Sequence, residues 1–267
     1  MRWPAAFTLF DAVWPDMSAR VARAEALGYP WAAVTTPFAW FEGDRALAHV
    51  GVLEHPVRLL GEDRAVAGIH AVCSHPDARG RGLVRRLLEE ALAFVDARWD
   101  TAKLHTDHPA LYAKFGFRVV PTYTWVSDRA GGRGRAVPVD VARVPFAGRA
   151  PVSEVLCSRD PGSLPVIDAA LARALDRWFF AVPGADWAAA WELRGDTLVV
   201  HDVFGPTLPT VEALADAAPP HARVRWSFCP DRFDPAAIPE PVTEGAFQVR
   251  GRWPDGAVVG VSPLWEH

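Results

Sequence analysis

The stretch AVCSHPDARGRGLVRRLL, residues 71–88, reads as the end of an apolar strand, a turn with two glycines and the start of an amphipathic helix. Gly80 and Gly82 let backbone N–H groups approach a ligand without side-chain obstruction. A helix starting near Leu83 presents unpaired N–H groups and the positive end of its dipole. Arg79, Arg81, Arg85 and Arg86 surround that end. This is a physical description of a pyrophosphate site. The GxxxxGK[ST] spacing of a P-loop is absent. The third glycine of a dinucleotide fingerprint is absent too. The same residues also describe a plain glycine turn before a basic helix, and the segment alone leaves both readings open.

Outward from this segment, the pattern predicts alternating strands and helices. Leu83, Leu87, Leu88, Ala91, Leu92 and Val95 form one face of a helix. Upstream, helical periodicity covers 11–28, with Met17, Val21, Ala24 and Leu27 in step and Gly28 as a stop. Strands are expected at 38–42, at 46–60 with an interruption at Pro56, and at 65–74, with a turn at 61–64. Downstream, a strand at 102–106 precedes a short helix at 109–115, which starts with proline and stops at Gly116. Strands follow at 117–126 and 136–144, separated by the Gly/Arg-rich stretch SDRAGGRGR, better read as a solvated hairpin loop than as an anion site. After about residue 146 the pattern partly restarts: a helix at 165–178, a hairpin at 191–204, a helix at 210–217 and a strand at 222–229. The expected fold is α/β, a mixed sheet with helices on both faces, followed by a reduced second copy.

Composition narrows the class. The chain of 267 residues is half hydrophobic and 22% charged, a globular composition. Its net charge of −4 argues against nucleic-acid binding. No apolar run approaches a membrane span and the N-terminal stretch lacks the apolar core of a signal peptide, so a soluble, cytoplasmic protein is expected. Cys73, Cys157 and Cys229 are far apart and odd in number, which suits a reducing compartment and offers no metal motif. The closest His pair, His105 and His108, lacks a third ligand, so no metal is expected. Residues 1–146 hold 18 basic and 16 acidic residues, residues 147–267 hold 10 and 16. A basic ligand-binding half beside an acidic half would suit an anionic cofactor and a cationic substrate.

The segment HPDARGRGLVRRLL resembles the acetyl-coenzyme A motif [QR]xxGxG/A of the GNAT N-acetyltransferase superfamily, and LYAKFGFR (111–118) resembles its second signature, Tyr-x-x-x-Gly-Phe. Both occur in the family's order and spacing. The motif's final Gly/Ala is Val84 here, where a branched side chain stands beside the phosphate site. RGRGLVRRLL and TDHPALYAKFGF are similar to the Eis-type branch, whose catalytic domain is followed by a degenerate acetyltransferase-like region. The resemblance implies a GNAT acyl-CoA N-acyltransferase domain at 1–146 and a reduced GNAT-like C-terminal domain at 147–267. It implies acetyl-CoA as cosubstrate, no metal, and direct acetyl transfer to a small-molecule or peptide amine. A non-catalytic coenzyme A-binding or protein-interaction module of the same fold is the alternative. Neither nucleic acid nor membrane is expected as a partner; a homo-oligomer is left open.

The resemblance also assigns residues. The backbone of Val72, Cys73 and Ser74 would pair with the pantetheine arm, and an N–H there would stabilise the oxyanion. The turn Arg79, Gly80, Arg81, Gly82, Leu83, Val84 and Arg85 would hold the pyrophosphate. Tyr112 matches the family's general acid. An alkylammonium is deprotonated only about once in 2,500 at pH 7, so a base or a water chain is useful. His70 shares strand parity with Gly68 and Val72 and is the first candidate base. Glu54 and Asp107 are the others, though Asp107 also reads as a helix cap. In the Eis branch the terminal carboxylate reaches the site, which here would be that of His267. Cys73 reads as a small apolar strand residue and not as a nucleophile. Trp31, Trp40 and Trp125 flank the expected site and are candidates for an apolar acceptor pocket.

Overall fold

The computed structural model describes residues 2–265. Two helices open the chain, α1 (Trp3–Val13) and α2 (Met17–Ala26), followed by one turn of helix, α3 (Trp31–Val34). The sequence pattern marks only the second of the long pair. α1 is apolar almost all round, burying Ala6, Leu9 and Phe10 and half-burying Trp3, Ala5 and Phe7, so it shows no periodic polar face. Pro15 and Asp16, the latter with φ of 62°, break the chain between them.

The first sheet starts with β1 (Thr36–Glu42), β2 (Arg45–Leu59) and β3 (Glu62–Ser74), an antiparallel meander. Leu60 and Gly61, both with positive φ, form the two-residue hairpin between β2 and β3. β2 runs straight through Pro56, against the expected interruption. The Pro56 carbonyl accepts from Arg159 N–H on the side away from β3, so its nitrogen points away from β3 as well and no ladder bond is lost there. After the glycine turn, α4 (Leu83–Asp96) crosses over and returns the chain as β4 (Thr101–Thr106), parallel to β3. α4 buries Leu83, Leu87, Leu88, Ala91, Leu92 and Val95 against this sheet, each leucine and the valine worth about 1.5–3 kcal/mol of transfer free energy. α1 packs on β2 and β3 from the opposite face, with α2 beside it. α5 (Pro109–Ala113) and β5 (Arg118–Val119) follow β4.

The single strand expected at 117–126 is two strands in different sheets. β5 ends before Pro121, and β6 (Tyr123–Ser127) joins the second sheet. The strand expected at 136–144 shrinks to β7 (Val137–Pro138), because Asp140 caps a short 3-10 turn by accepting from Ala142 N–H at 3.0 Å. Then come β8 (Leu156–Ser158), α6 (Ser163–Leu171), β9 (Phe179–Ala181), β10 (Ala188–Arg194), β11 (Thr197–Phe204), α7 (Val211–Ala217), β12 (Arg223–Trp226), β13 (Ile238–Pro241) and β14 (Ala246–Gly251). In β9–β10–β11–α7–β12, two antiparallel pairs lead to a crossover helix and a parallel pair, the same order as β1–β2–β3–α4–β4. The second copy expected from the pattern is present in the topology.

Strands cross residue 146 in both directions. β14 sits between β4 and β5, and β8 pairs with β2, so the C-terminal half completes the first sheet. β6 and β7 complete the second. A buried ion pair ties the sheets: Arg149 donates to Asp202 Oδ2 of β11 at 3.0 Å and to the Ser158 carbonyl of β8.

Candidate active site

β3 and β4 pair only at Ala67–Ala102 and Gly68–Lys103 and then splay apart. The gap is a cleft of about 830 Å³. Residues 69–74 wall one side and residues 104–108 the other. The edge of β3 that faces away from β2 is therefore free of a strand partner beyond Gly68. His75 N–H bonds to the Leu47 carbonyl, so strand alternation turns Cys73 toward β2 and Val72 and Ser74 toward the gap. An extended chain can add to such an edge.

A bulge shapes this edge. Between the pairs His49–Cys73 and Gly51–His70, two residues of β3 oppose Val50 alone. Ala71 takes the left-handed backbone, φ 47°, which costs a non-glycine residue about 1–2 kcal/mol. His49 holds it there by donating Nδ1–H to the Ala71 carbonyl at 2.9 Å. Full burial pushes the His49 pKa down to about 4, so its ring is neutral at pH 7. His70 turns to the face of α1 and α3: it packs on Trp31 at 4.9 Å between ring centroids and hydrogen-bonds through Nε2 to Thr35 Oγ1 at 3.3 Å. Gly51 makes room for it, since a Cβ there would lie 2.5 Å from His70 Nε2. His49, Gly51, Thr35 and the bulge are absent from the sequence reading. A glycine inside a strand, two residues after a histidine, is the one local signal of close approach that was available.

The glycine turn has the expected form. Gly80 and Gly82 have φ of 76° and 73°, and a Cβ on either would meet nothing within 4 Å, so the backbone faces open space. Arg86 N–H is the first to find a carbonyl in α4, that of Gly82, which leaves the N–H groups of Leu83, Val84 and Arg85 without an intrahelical partner. Among the arginines, Arg79 lines the cleft and has no carboxylate partner among the described residues. Arg81 is paired with Glu42, whose carboxyl it holds below the ordinary range, and Arg85 is paired with Glu89 at 3.0 Å. Leu83 is buried under the turn, and Val84 lines the cleft beside it. The turn thus offers backbone donors and the guanidinium of Arg79 to the cleft.

Across the gap, α5 carries Tyr112, buried against Phe117 at 6.0 Å between rings and lining the cleft. Burial, with a smaller contribution from Cys73, pushes its pKa up to about 12. Cys73 also lines the cleft, but burial raises its thiol to about 12, which removes the thiolate a nucleophile needs. Asp107 lines the cleft and caps nothing; Thr106 Oγ1 accepts from His108 N–H instead. Glu54 lies outside the cleft, accepting from Trp99 Nε1 at 3.2 Å, because its position opposite Ala67 falls where β3 and β4 are still paired. Trp31 reaches the cleft. Trp40 lies on β1 under Arg86, and Trp125 is buried in the second sheet. His267 lies outside the described residues.

The second copy has no such gap. β11 and β12 stay paired from Thr197–Arg223 to Val200–Trp226, and Thr210 caps α7 with its own hydroxyl where the first copy has its glycines. A surface concavity near β13 is lined by Arg129, Asp234, Arg223 and Glu240, charges already engaged in ion pairs. Among the described residues no three His, Cys, Asp or Glu side chains converge to hold a metal ion. Among the described residues no helix is long and apolar enough to cross a membrane.

Residues 2–120 match the acetyltransferase (GNAT) domain family. No curated protein matches the chain. Among solved structures, a GCN5-related N-acetyltransferase from Kribbella flavida is 14% identical, with a TM-score of 0.58 over 94% of this chain and 68% of its own. A conserved protein of unknown function from Enterococcus faecalis V583 is 15% identical, with a TM-score of 0.61 over 93% and 69%. Eis1 from Mycobacterium abscessus is 15% identical, with a TM-score of 0.54 over 88% and 71%. The likeness extends through both sheets, including the second copy.

Proposed function

Starting from residues 2–120 as a GNAT acetyltransferase domain, we propose that the protein transfers an acetyl group from acetyl-CoA directly to an amine. The observation that carries this reading is the gap between β3 and β4, with the glycine turn at one end and Tyr112 on its wall. The residues fit the cosubstrate: the turn is open at Gly80 and Gly82, the N–H groups of Leu83, Val84 and Arg85 lack intrahelical partners, and Arg79 has no carboxylate partner among the described residues. The turn would hold the pyrophosphate, and the free edge at Val72 and Ser74 the extended arm. When bound, acetyl-CoA supplies an acetyl carbon activated as a thioester.

His70, on the opposite face from the turn, takes a proton from the incoming ammonium so that nitrogen can bond to the acetyl carbon. Tyr112 stays protonated across the physiological range and donates to the sulfur as the carbon–sulfur bond breaks. The bulged edge at Ala71 directs backbone N–H groups into the gap, where they can stabilise negative charge on the acetyl oxygen. The product is an amide plus the free thiol. The test is release of thiol from acetyl-CoA by the purified protein over a panel of amines. Activity is expected with at least one amine, and Tyr112→Phe should lower kcat by about 10²–10⁴-fold. Binding of acetyl-CoA with no turnover of any amine would favour the non-catalytic alternative.

A further inference from the structure

The cleft passes through the first sheet. The glycine turn and α4 lie on one face; α1, α2 and His70 lie on the other. The lining therefore divides into a cosubstrate side and an acceptor side, and the acceptor side carries its own cation. Arg20 of α2 lines the cleft and has no carboxylate partner among the described residues. Its guanidinium is fixed by two backbone carbonyls, donating from Nη1 to Leu171 and from Nη2 to Pro15, both at 3.0 Å. Its Nε is buried with no partner at all. Met17 stands one turn before Arg20 on the same face of α2, and Trp14, Trp31 and Leu171 complete an apolar wall beside it. Trp31 connects that wall to His70. Asp107 is the one carboxylate among the described residues that line the cleft.

A fixed, unpaired guanidinium in a half-buried site favours an anion. It also disfavours an acceptor with several positive charges, for which a single carboxylate is a poor match. We propose that the acceptor is an apolar α-amino acid, with its carboxylate on Arg20, its side chain on the Trp14–Met17–Trp31 wall and its amine toward His70. This rests on the acetyltransferase reading for the fate of the amine, and on Arg20 alone for recognition.

The experiment compares kcat/KM for L-phenylalanine, phenethylamine and spermidine with acetyl-CoA. L-Phenylalanine is expected to exceed its decarboxylated analogue at least tenfold, with spermidine last. In Arg20→Gln the ratio of L-phenylalanine to phenethylamine should collapse by about 10–100-fold, mainly through KM. Arg20→Lys, which keeps the charge, should restore part of it. A wild-type preference for phenethylamine or spermidine would overturn the proposal, as would a ratio unmoved by Arg20→Gln. Calorimetry separates the two readings. L-Phenylalanine binding lost in Arg20→Gln, without acetyl-CoA binding, would keep the anchor and sink the enzyme. Acetyl-CoA binding and turnover of another amine, without L-phenylalanine binding, would do the reverse.

Discussion

His49 and Tyr112 are shifted in opposite directions by the same cause, burial of a charge away from water. Their consequences for stability differ in sign. The folded protein binds fewer protons at His49 than the unfolded chain between the ordinary value of 6.5 and about 4. Stability is therefore full above pH 6.5 and is lost as pH falls through 4, by roughly 3 kcal/mol from this group. Urea midpoints measured from pH 7 to 4 should show this loss, and His49→Gln should flatten it. Cys73 and Tyr112 stay protonated in the fold up to about 12, above their ordinary 9 and 10. Stability should fall as pH rises from 9 toward 12, and Tyr112→Phe should remove part of that decline. At Gly51 the constraint is steric. Gly51→Ala places a methyl group on the His70 ring, and the expected result is a loss of about 1–3 kcal/mol with a fall in kcat, read by thermal unfolding and by thiol release.

At the scale of elements, the site is a bulge in β3 facing a helix start. Ala71→Gly relieves the left-handed backbone while adding freedom to the unfolded chain, so a net gain of about 0.5–1 kcal/mol is expected. A lower melting temperature would show that the methyl group of Ala71 contributes packing that outweighs the strain. This bulge was not legible in the sequence. Residues 65–74 read as an even apolar strand, and what offsets one residue is His49, brought alongside by a hairpin that ends at Leu59. α4 and the glycine turn were legible because both are local: six apolar residues repeat at helical spacing, and two glycines stand where the backbone needs positive φ. The break inside 117–126 depends on β14, more than a hundred residues later, taking the place beside β4, and no local pattern encodes that. Arg20 likewise carries no signal in the local pattern; its place in the cleft depends on Leu171, 151 residues away, lying against it.

For the whole molecule, the exchange of strands makes the two sheets one folding unit. A chain ending at residue 146 would lack β14 and β8, leaving an unpaired edge on β4, and is expected to give no cooperative thermal transition by circular dichroism. Asp202→Ala would strand Arg149 in the interior; a loss of about 3–5 kcal/mol is expected, measured by urea unfolding. The opening between β3 and β4 has a kinetic meaning as well. Because it perforates the sheet, the proposed donor and acceptor would arrive from opposite sides, and neither would have to leave before the other enters. Cys73, held as a thiol, provides no way station for the acetyl group. Double-reciprocal plots should therefore intersect rather than run parallel. Labelled coenzyme A should not exchange into acetyl-CoA until an amine is present.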